Sequence, residues 1–115
     1  MATLSLKEIV LDGVQPDQGN YPSASAGGDD CENPGTVFLH VVNGDTSPHE
    51  VQIDGKFTKF GKDIDPNPVN VPAGEERMLG PFPKADFGST LNWTYPSGVT
   101  SVTVQPYKLS GVVPS

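Results

Sequence analysis

The chain has 115 residues, the size of one ordinary domain, and only 35% of them are apolar. Its 7 basic and 14 acidic residues give a net charge of −7, which argues against a protein that binds nucleic acid or an anionic membrane. The single cysteine excludes an intrachain disulfide, and 13 glycines with 12 prolines are typical of an all-β domain with many turns.

The first predicted strand covers residues 7–15 (KEIVLDGVQ) and ends before Pro16. The N-terminal segment from Met1 to Leu11 carries Lys7 and Glu8 and has no apolar core of a signal peptide, so we expect synthesis in a cytoplasm without export. Residues 16–35, called the arm segment below, are rich in Gly, Pro, Ser, Asp and Asn. We interpret them as an extended arm or long loop of a single domain spanning residues 1–115.

The strongest strand pattern is TVFLHVVN at residues 36–43. Val37, Leu39 and Val41 share one face, while Phe38 and His40 lie on the other. Because both faces are largely apolar, this strand is predicted to be central and covered on both sides. The arm segment is one candidate for the part of the chain that covers the second face of this strand.

Further strands are predicted by alternation between turn signals. They cover residues 49–54, 69–71, 76–79, 90–95 and 100–107. Residues 56–67 form a predicted surface excursion, 83–88 form at most one helical turn, and 110–115 are a tail that is loose or held only by a neighbour. About seven strands at this spacing predict an antiparallel β-sandwich, either Ig-like or jelly-roll-like.

The residues that carry chemistry do not form a catalytic pattern. Cys31 lies among carboxylates, which raise a thiol pKa and make it unreactive, and His40 is predicted to be a strand histidine held by a hydrogen bond. Asp29-Asp30 with Glu32, or Asp63-x-Asp65, offers oxygen ligands for Ca²⁺, but neither spacing matches an EF-hand loop. We therefore predict no catalytic residue, no metal and no cofactor, and a protein that is not an enzyme.

Four aromatic residues keep a second function class open. They are Tyr21, Trp93, Tyr95 and Tyr107. Exposed aromatic rings stack on sugars, so an Ig-like or carbohydrate-binding sandwich used for adhesion is the alternative. Trp93 alternates with Leu91, however, which places it in the predicted core.

Several short motifs occur in an order that resembles a known family. They are Ala26-Gly27-Gly28-Asp29, Asn33-x-Gly35, Phe38-Leu39-His40-Val41-x-Asn43-Gly44, Val71-Pro72-Ala73-Gly74-Glu75 and Gly80-Pro81-Phe82-Pro83. With Phe87 and the final strand pair of Tyr95 and Val99 to Val104, they cover the chain from about Tyr21 to Leu109 and resemble the small head decoration (cement) proteins of tailed phages. On such a phage, the adhesion alternative would be part of a head fibre or tail. The long excursion at residues 56–67 and Cys31 depart from that pattern.

The resemblance implies a structural virion protein on the outer capsid surface. It implies binding to the major capsid protein, with a homo-oligomer, a trimer being favoured, and no nucleic acid or membrane partner. We expect the arm segment to make the contact, because an extended segment that orders on a partner covers a large surface. The candidate partner-binding residues are Tyr21, Pro22, Asp29, Asp30 and Asn33.

Overall fold

Two packed β-sheets form the body of the protein. The strands alternate apolar and polar side chains, so each sheet has one apolar face that it buries against the other sheet. The computed structural model describes residues 2–9, 18–54, 57–59, 62–64 and 68–109. Over these residues the strands are β1 (Ala2–Thr3), β2 (Lys7–Ile9), β3 (Asp29–Glu32), β4 (Val37–Asn43), β5 (His49–Ile53), β6 (Phe57–Lys59), β7 (Lys62–Ile64), β8 (Val69–Val71), β9 (Glu76–Leu79), β10 (Thr90–Thr94) and β11 (Val102–Leu109). A 3₁₀ turn (Gln18–Asn20) and a one-turn helix α1 (Lys84–Phe87) complete them.

The strands divide between two packed sheets and one hairpin. Sheet A has the order β1-β3-β10-β5-β8, and sheet B has the order β2-β11-β4-β9, while β6 and β7 pair with each other. Strands that follow each other along the chain lie in opposite sheets, apart from the hairpin and the two strands that flank it. As a result, β10 stands in the middle of sheet A, and β11 stands between β2 and β4 in sheet B.

Both sheets are mixed, since each carries one parallel strand at its edge. Ala2 pairs in parallel with Asp29 in sheet A, and Lys7 pairs in parallel with Tyr107 in sheet B. Residues 2–9 thus cross from one sheet to the other, and the side chain of Leu4, at the crossing, is buried in the core. This stretch closes one edge of each sheet.

The core lies between the sheets and is filled by the inward-facing residues of both. Trp93 and Leu91 on β10 are fully buried and belong to the same core cluster as Leu39 and Val41 of β4. The remaining buried residues from the strands are Cys31, Val37, Val51, Ile53, Val71, Val102 and Val104. A β-sandwich buries alternate residues only, and this explains how a chain with few apolar residues still forms a continuous core.

The predicted all-β sandwich is confirmed, with nine strands in its two sheets where about seven were expected. The strands predicted at 36–43, 49–54, 69–71, 76–79, 90–95 and 100–107 are all present to within two residues at each end, and α1 is the predicted helical turn. The sheets are not purely antiparallel, because the two N-terminal strands pair in parallel. A two-residue strand leaves no alternation from which such pairing could be predicted.

The arm segment is partly built into the sandwich. Its residues 29–32 form β3, an internal strand of sheet A between β1 and β10. Residues 22–24 lie along the edge of β11, with the Ala24 amide donating to the Val102 carbonyl and the Val104 amide donating to the Pro22 carbonyl. Over its described residues the segment is therefore an ordered part of both sheets and not an arm that leaves them.

Some predictions fall outside the described residues. The tail at 110–115 lies wholly outside them, and so do residues 10–15 of the first predicted strand. Of the excursion at 56–67, only the backbone of the β6–β7 hairpin is described. In the part of the chain that the structure covers, no helix has the length and apolar character needed to cross a membrane.

Candidate binding surface

Three of the five predicted partner-binding residues are buried inside the chain. Tyr21 is 6% exposed, and Asp29 and Asn33 are fully buried, whereas Pro22 and Asp30 are half-buried. Asn33 holds two turns together, since its Nδ2 donates to the Gly88 carbonyl (2.9 Å) and its Oδ1 accepts from the Gly35 amide (3.1 Å). The structure gives these buried side chains internal roles, and their contact with a partner stays a prediction.

Tyr21 belongs to a hydrogen-bonded cluster on the outer face of sheet B. Its hydroxyl lies 2.7 Å from His40 Nδ1 and 2.5 Å from the Tyr107 hydroxyl, and His40 Nε2 lies 2.9 Å from Glu76 Oε1. One arrangement of protons satisfies every group: Tyr107 donates to Tyr21, Tyr21 donates to Nδ1, and Nε2–H donates to Glu76. His40 is thus the hydrogen-bonded strand histidine that the sequence predicted.

This cluster attaches the arm segment to the sheet. Tyr21 comes from the arm segment, His40 from β4, Tyr107 from β11 and Glu76 from β9, so the chain of hydrogen bonds runs across three strands. The Tyr21 and His40 rings also meet edge to face, with their centroids 5.4 Å apart. The cluster covers the part of this face around His40 and Tyr107.

The second buried cluster lies inside the sandwich around Asp29. The Tyr95 hydroxyl donates to Asp29 Oδ2 (2.5 Å) and accepts from Trp93 Nε1 (2.7 Å). Burial raises the pKa of Tyr95 far above its usual range, and the neighbouring Asp29 raises it further, so the hydroxyl keeps its proton. Asp29 Oδ1 is buried and has no hydrogen-bond partner within the described ranges.

A neighbouring part of the outer face of sheet B, around Phe38, is apolar. Phe38 on β4 stacks on Tyr107 with an interplanar angle of 19°, and the pairing of the strands places Met78 and Leu109 on the same face. Met78 is 57% exposed and Leu109 is 41% exposed, and they are the two large apolar side chains that are exposed among the described residues. Both therefore lie on the same outer face, on opposite sides of β4.

These residues line a shallow groove with a volume of about 250 Å³. Its walls are Thr36, Phe38, Met78, Leu79, Gly80, Pro81 and Leu109, with no charged side chain among them. Gly80 has a φ of +134°, and a Cβ at this position would lie 2.7 Å from Phe38 Cβ. The groove exists partly because a glycine lets β9 end close against Phe38.

The outer face of sheet A has the opposite character. Its five strands contain neither Lys nor Arg. The pairing of β3, β5 and β10 places Asp30, Glu32, Glu50, Gln52 and Asn92 on this face. Over the described residues, the outer face of sheet A is thus acidic, whereas that of sheet B has an exposed apolar groove.

Sequence reasoning missed the groove residues, although a signal for one of them was present. Met78 is an apolar residue at an alternating position in β9, and its neighbours Arg77 and Leu79 point inward. The pattern of a four-residue edge strand does not distinguish its two faces, so the exposed side could not be chosen. Leu109 lay beyond the strand predicted at 100–107.

The structure also places the cysteine, the four aromatic residues and the candidate metal ligands that the sequence analysis considered. Cys31 is fully buried on β3, and burial, with Asp30 and Glu32 beside it, raises the pKa of its thiol to about 12. The four aromatic residues considered for sugar stacking are all buried: Tyr21, Trp93, Tyr95 and Tyr107. In the described ranges, no three His, Cys, Asp or Glu side chains gather as a metal site.

Over the described residues, the protein is an all-β sandwich with an acidic outer face on sheet A and an apolar groove in the outer face of sheet B. Comparison of the chain with models of known protein families, with curated protein sequences and with solved structures gave no match.

Proposed function

We propose that the protein is a structural virion protein that decorates and stabilises the outside of a tailed-phage capsid by binding the major capsid protein. The order of motifs from Tyr21 to Leu109 supports this family, and the two-sheet fold is compatible with it. The observation that carries the proposal is the contrast between the two outer faces. A protein that coats a capsid needs one face that binds the capsid and another that stays hydrated.

The apolar groove of sheet B is the face that we assign to the shell. Met78 and Leu109 expose apolar surface that gains free energy when a partner removes it from water. The acidic face of sheet A would then point away from the capsid, where its carboxylates stay hydrated.

The hydrogen-bonded cluster supports a rigid contact surface next to the groove. Tyr21, His40 and Tyr107 are held in place before any partner arrives, so binding orders few side chains and loses little conformational entropy. A homotrimer on the capsid is part of the proposal, because symmetric shells present the same site in repeated copies.

The test is co-sedimentation of the purified protein with expanded empty heads of its own phage, with tails and a no-head sample as controls. Saturable binding to heads alone is expected. Met78→Asp places a charge in the apolar groove and should weaken binding at least about tenfold. Asn70→Asp is the matched control, because it adds the same charge to an exposed position of sheet A and should bind like the wild type.

Two results would overturn parts of this proposal separately. No saturable binding to heads, or binding to tails instead, would reject capsid decoration. Binding to heads that Asn70→Asp weakens and Met78→Asp does not would keep decoration and reject the groove as the contact face.

A further inference from the structure

Asn43 and Gly44 form the only asparagine–glycine pair in the sequence, where β4 ends. An asparagine in such a pair is the one most easily converted to an acid, because glycine has no side chain to hinder attack by its own amide nitrogen. The other five asparagines all precede residues that carry a side chain: Asn20, Asn33, Asn67, Asn70 and Asn92.

The conversion of Asn43 is an intramolecular reaction that consumes only water. The Gly44 amide nitrogen gives its proton to a base in solution and attacks Asn43 Cγ. The N–Cγ bond forms as the Cγ–Nδ2 bond breaks, and Nδ2 leaves as ammonia. Water then opens the succinimide ring at either carbonyl and gives aspartate or isoaspartate. The reaction requires a free Gly44 amide and an Asn43 side chain that can turn toward it.

The native fold meets neither requirement. The Gly44 amide donates to the Ser101 carbonyl (2.9 Å), so its proton is engaged. The Asn43 side chain is 1% exposed and is held at both ends, since Nδ2 donates to the Ser47 carbonyl (2.9 Å) and Oδ1 accepts from the Asp45 amide (3.0 Å). Reaction therefore requires that the end of β4 first opens.

We propose that Asn43–Gly44 is a deamidation site that the native fold closes, that unfolding opens, and whose products cannot re-form the native fold. In the aspartate product, a negatively charged oxygen replaces Nδ2. It faces the carbonyl oxygens of Ser47, Val71 and Pro72, which lie 2.9, 3.0 and 3.3 Å from Nδ2 in the native protein. A buried carboxylate that faces only acceptors is costly, because its charge is unpaired and the carbonyls lose their donor.

The isoaspartate product changes the backbone itself, because the chain then runs through Cβ and gains one atom. The Asn43 amide donates to the Glu75 carbonyl (2.9 Å), which precedes β9, and the Gly44 amide donates to the Ser101 carbonyl, which precedes β11. Strand β4 lies between β9 and β11, so these two bonds fix its end on both sides. An extra atom between the two amides moves one of them out of register. Both products thus make unfolding irreversible, whether or not the proposed function holds.

The first test compares deamidation in the folded and the unfolded chain. The full chain is incubated at mildly alkaline pH in buffer and in guanidinium chloride above its unfolding midpoint, and peptide mapping by mass spectrometry gives the conversion of each asparagine. In denaturant, Asn43 should convert faster than any other asparagine, and a different order would reject the site. In buffer, its conversion should be at least about tenfold slower than in denaturant, and a smaller ratio would reject closure by the fold.

Gly44→Ala is the matched control, since it keeps Asn43 and every other reactive position of the chain. Its added Cβ would lie 3.3 Å from the Ser101 carbonyl oxygen, and it hinders attack by the amide nitrogen. In denaturant, Asn43 of this variant should convert several-fold more slowly than in the wild type. Equal rates would show that the reaction does not pass through the Gly44 amide.

The second test asks whether the products fold. Wild-type chain in which part of Asn43 has converted is diluted out of denaturant, and folded molecules are separated by size-exclusion chromatography. Asn43 should be almost entirely intact in the folded fraction, and the converted chains should collect in the unfolded or aggregated fraction. An equal share of converted Asn43 in both fractions would overturn the irreversibility.

The variant Asn43→Asp supplies the aspartate product directly. Its urea midpoint should lie well below that of the wild type, or the variant should fail to fold. Asn70→Asp adds the same charge at an exposed position of β8 and should keep the wild-type midpoint. Equal midpoints of the two variants would overturn the assigned role of Asn43 Nδ2.

Discussion

Tyr95 is the residue whose hydroxyl connects two buried groups from different strands. It accepts from Trp93 Nε1 and donates to Asp29 Oδ2, and all three side chains are almost fully buried. An unpaired buried polar group costs more free energy than a hydrogen bond gains. The main contribution of the Tyr95 hydroxyl to stability is therefore that it provides buried Trp93 Nε1 and Asp29 Oδ2 with a hydrogen-bond partner.

The variant Tyr95→Phe tests this arrangement. It leaves Trp93 Nε1 without its partner and Asp29 Oδ2 with the Ser25 amide alone (3.2 Å), so we expect a loss of about 2–4 kcal/mol in the free energy of unfolding. Tyr107→Phe is the comparison, because Tyr21 keeps His40 as a partner, and it should lose about 1 kcal/mol. Urea unfolding of both variants gives the values, and an equal or reversed order would contradict the explanation.

Cys31 provides a second test at the scale of one residue. With a pKa of about 12, roughly one thiol in ten thousand is ionised at pH 8, and the side chain is fully buried. A thiol reagent such as 5,5′-dithiobis(2-nitrobenzoic acid) should not react with the folded protein at pH 8 and should react stoichiometrically in denaturing urea. Rapid labelling without denaturant would show that β3 opens under native conditions.

At the residue scale, sequence and structure agree where a side chain has one strong preference. Trp93 was placed in the core because it alternates with Leu91, and His40 was expected to be held by a hydrogen bond. The partners of Tyr21 and Asp29 were not predictable, since they come from strands 19 to 86 positions away. Sequence spacing carries no information about such contacts.

At the scale of elements, β3 is the strand that sequence patterns did not predict. Its four residues are Asp-Asp-Cys-Glu, a composition typical of a loop and unfavourable for a strand. It forms because Cys31 packs in the core and Asp29 accepts a hydrogen bond from Tyr95. The alternate residues of the strand, Asp30 and Glu32, lie on the outer face. Tertiary context overrides propensity here, whereas β4, β5 and β10 follow their own alternation.

The junction between β9 and Pro81 gives a prediction at this scale. Gly80 has a positive φ, and a Cβ there would lie 2.7 Å from Phe38 Cβ, too close for an ordinary contact. Gly80→Ala should therefore destabilise the protein by about 2–4 kcal/mol, from the backbone and the overlap together. Gly74→Ala is the matched control, because Gly74 also has a positive φ (+72°) but has open space around its Cβ position.

Thermal or urea unfolding of these two glycine variants separates the causes. Gly74→Ala should lose about 1–2 kcal/mol from backbone strain alone. If both variants lost the same free energy, the close approach of Phe38 would have no energetic importance, and the shape of the groove would have a different origin.

At the scale of the whole molecule, residues 2–9 connect both sheets. They supply an edge strand to each sheet, and Leu4 fills the core between them. Removing residues 1–9 should therefore cost at least about 3 kcal/mol, more than one buried leucine side chain contributes. Urea unfolding measures it, with Glu8→Ala, at an exposed position, as the control. Unchanged stability of the truncated chain would contradict this role.

The positions of β10 and β11 bear on how the chain is made. In sheet A, β10 joins β1–β3 to β5–β8, and in sheet B, β11 joins β2 to β4–β9. Of the described strands, β10 and β11 come last along the chain, so a ribosome has made their neighbours before either sheet can be completed. A chain that stops before Thr90 therefore leaves the strands that β10 and β11 would join with unpaired edges, which expose it to aggregation and proteolysis.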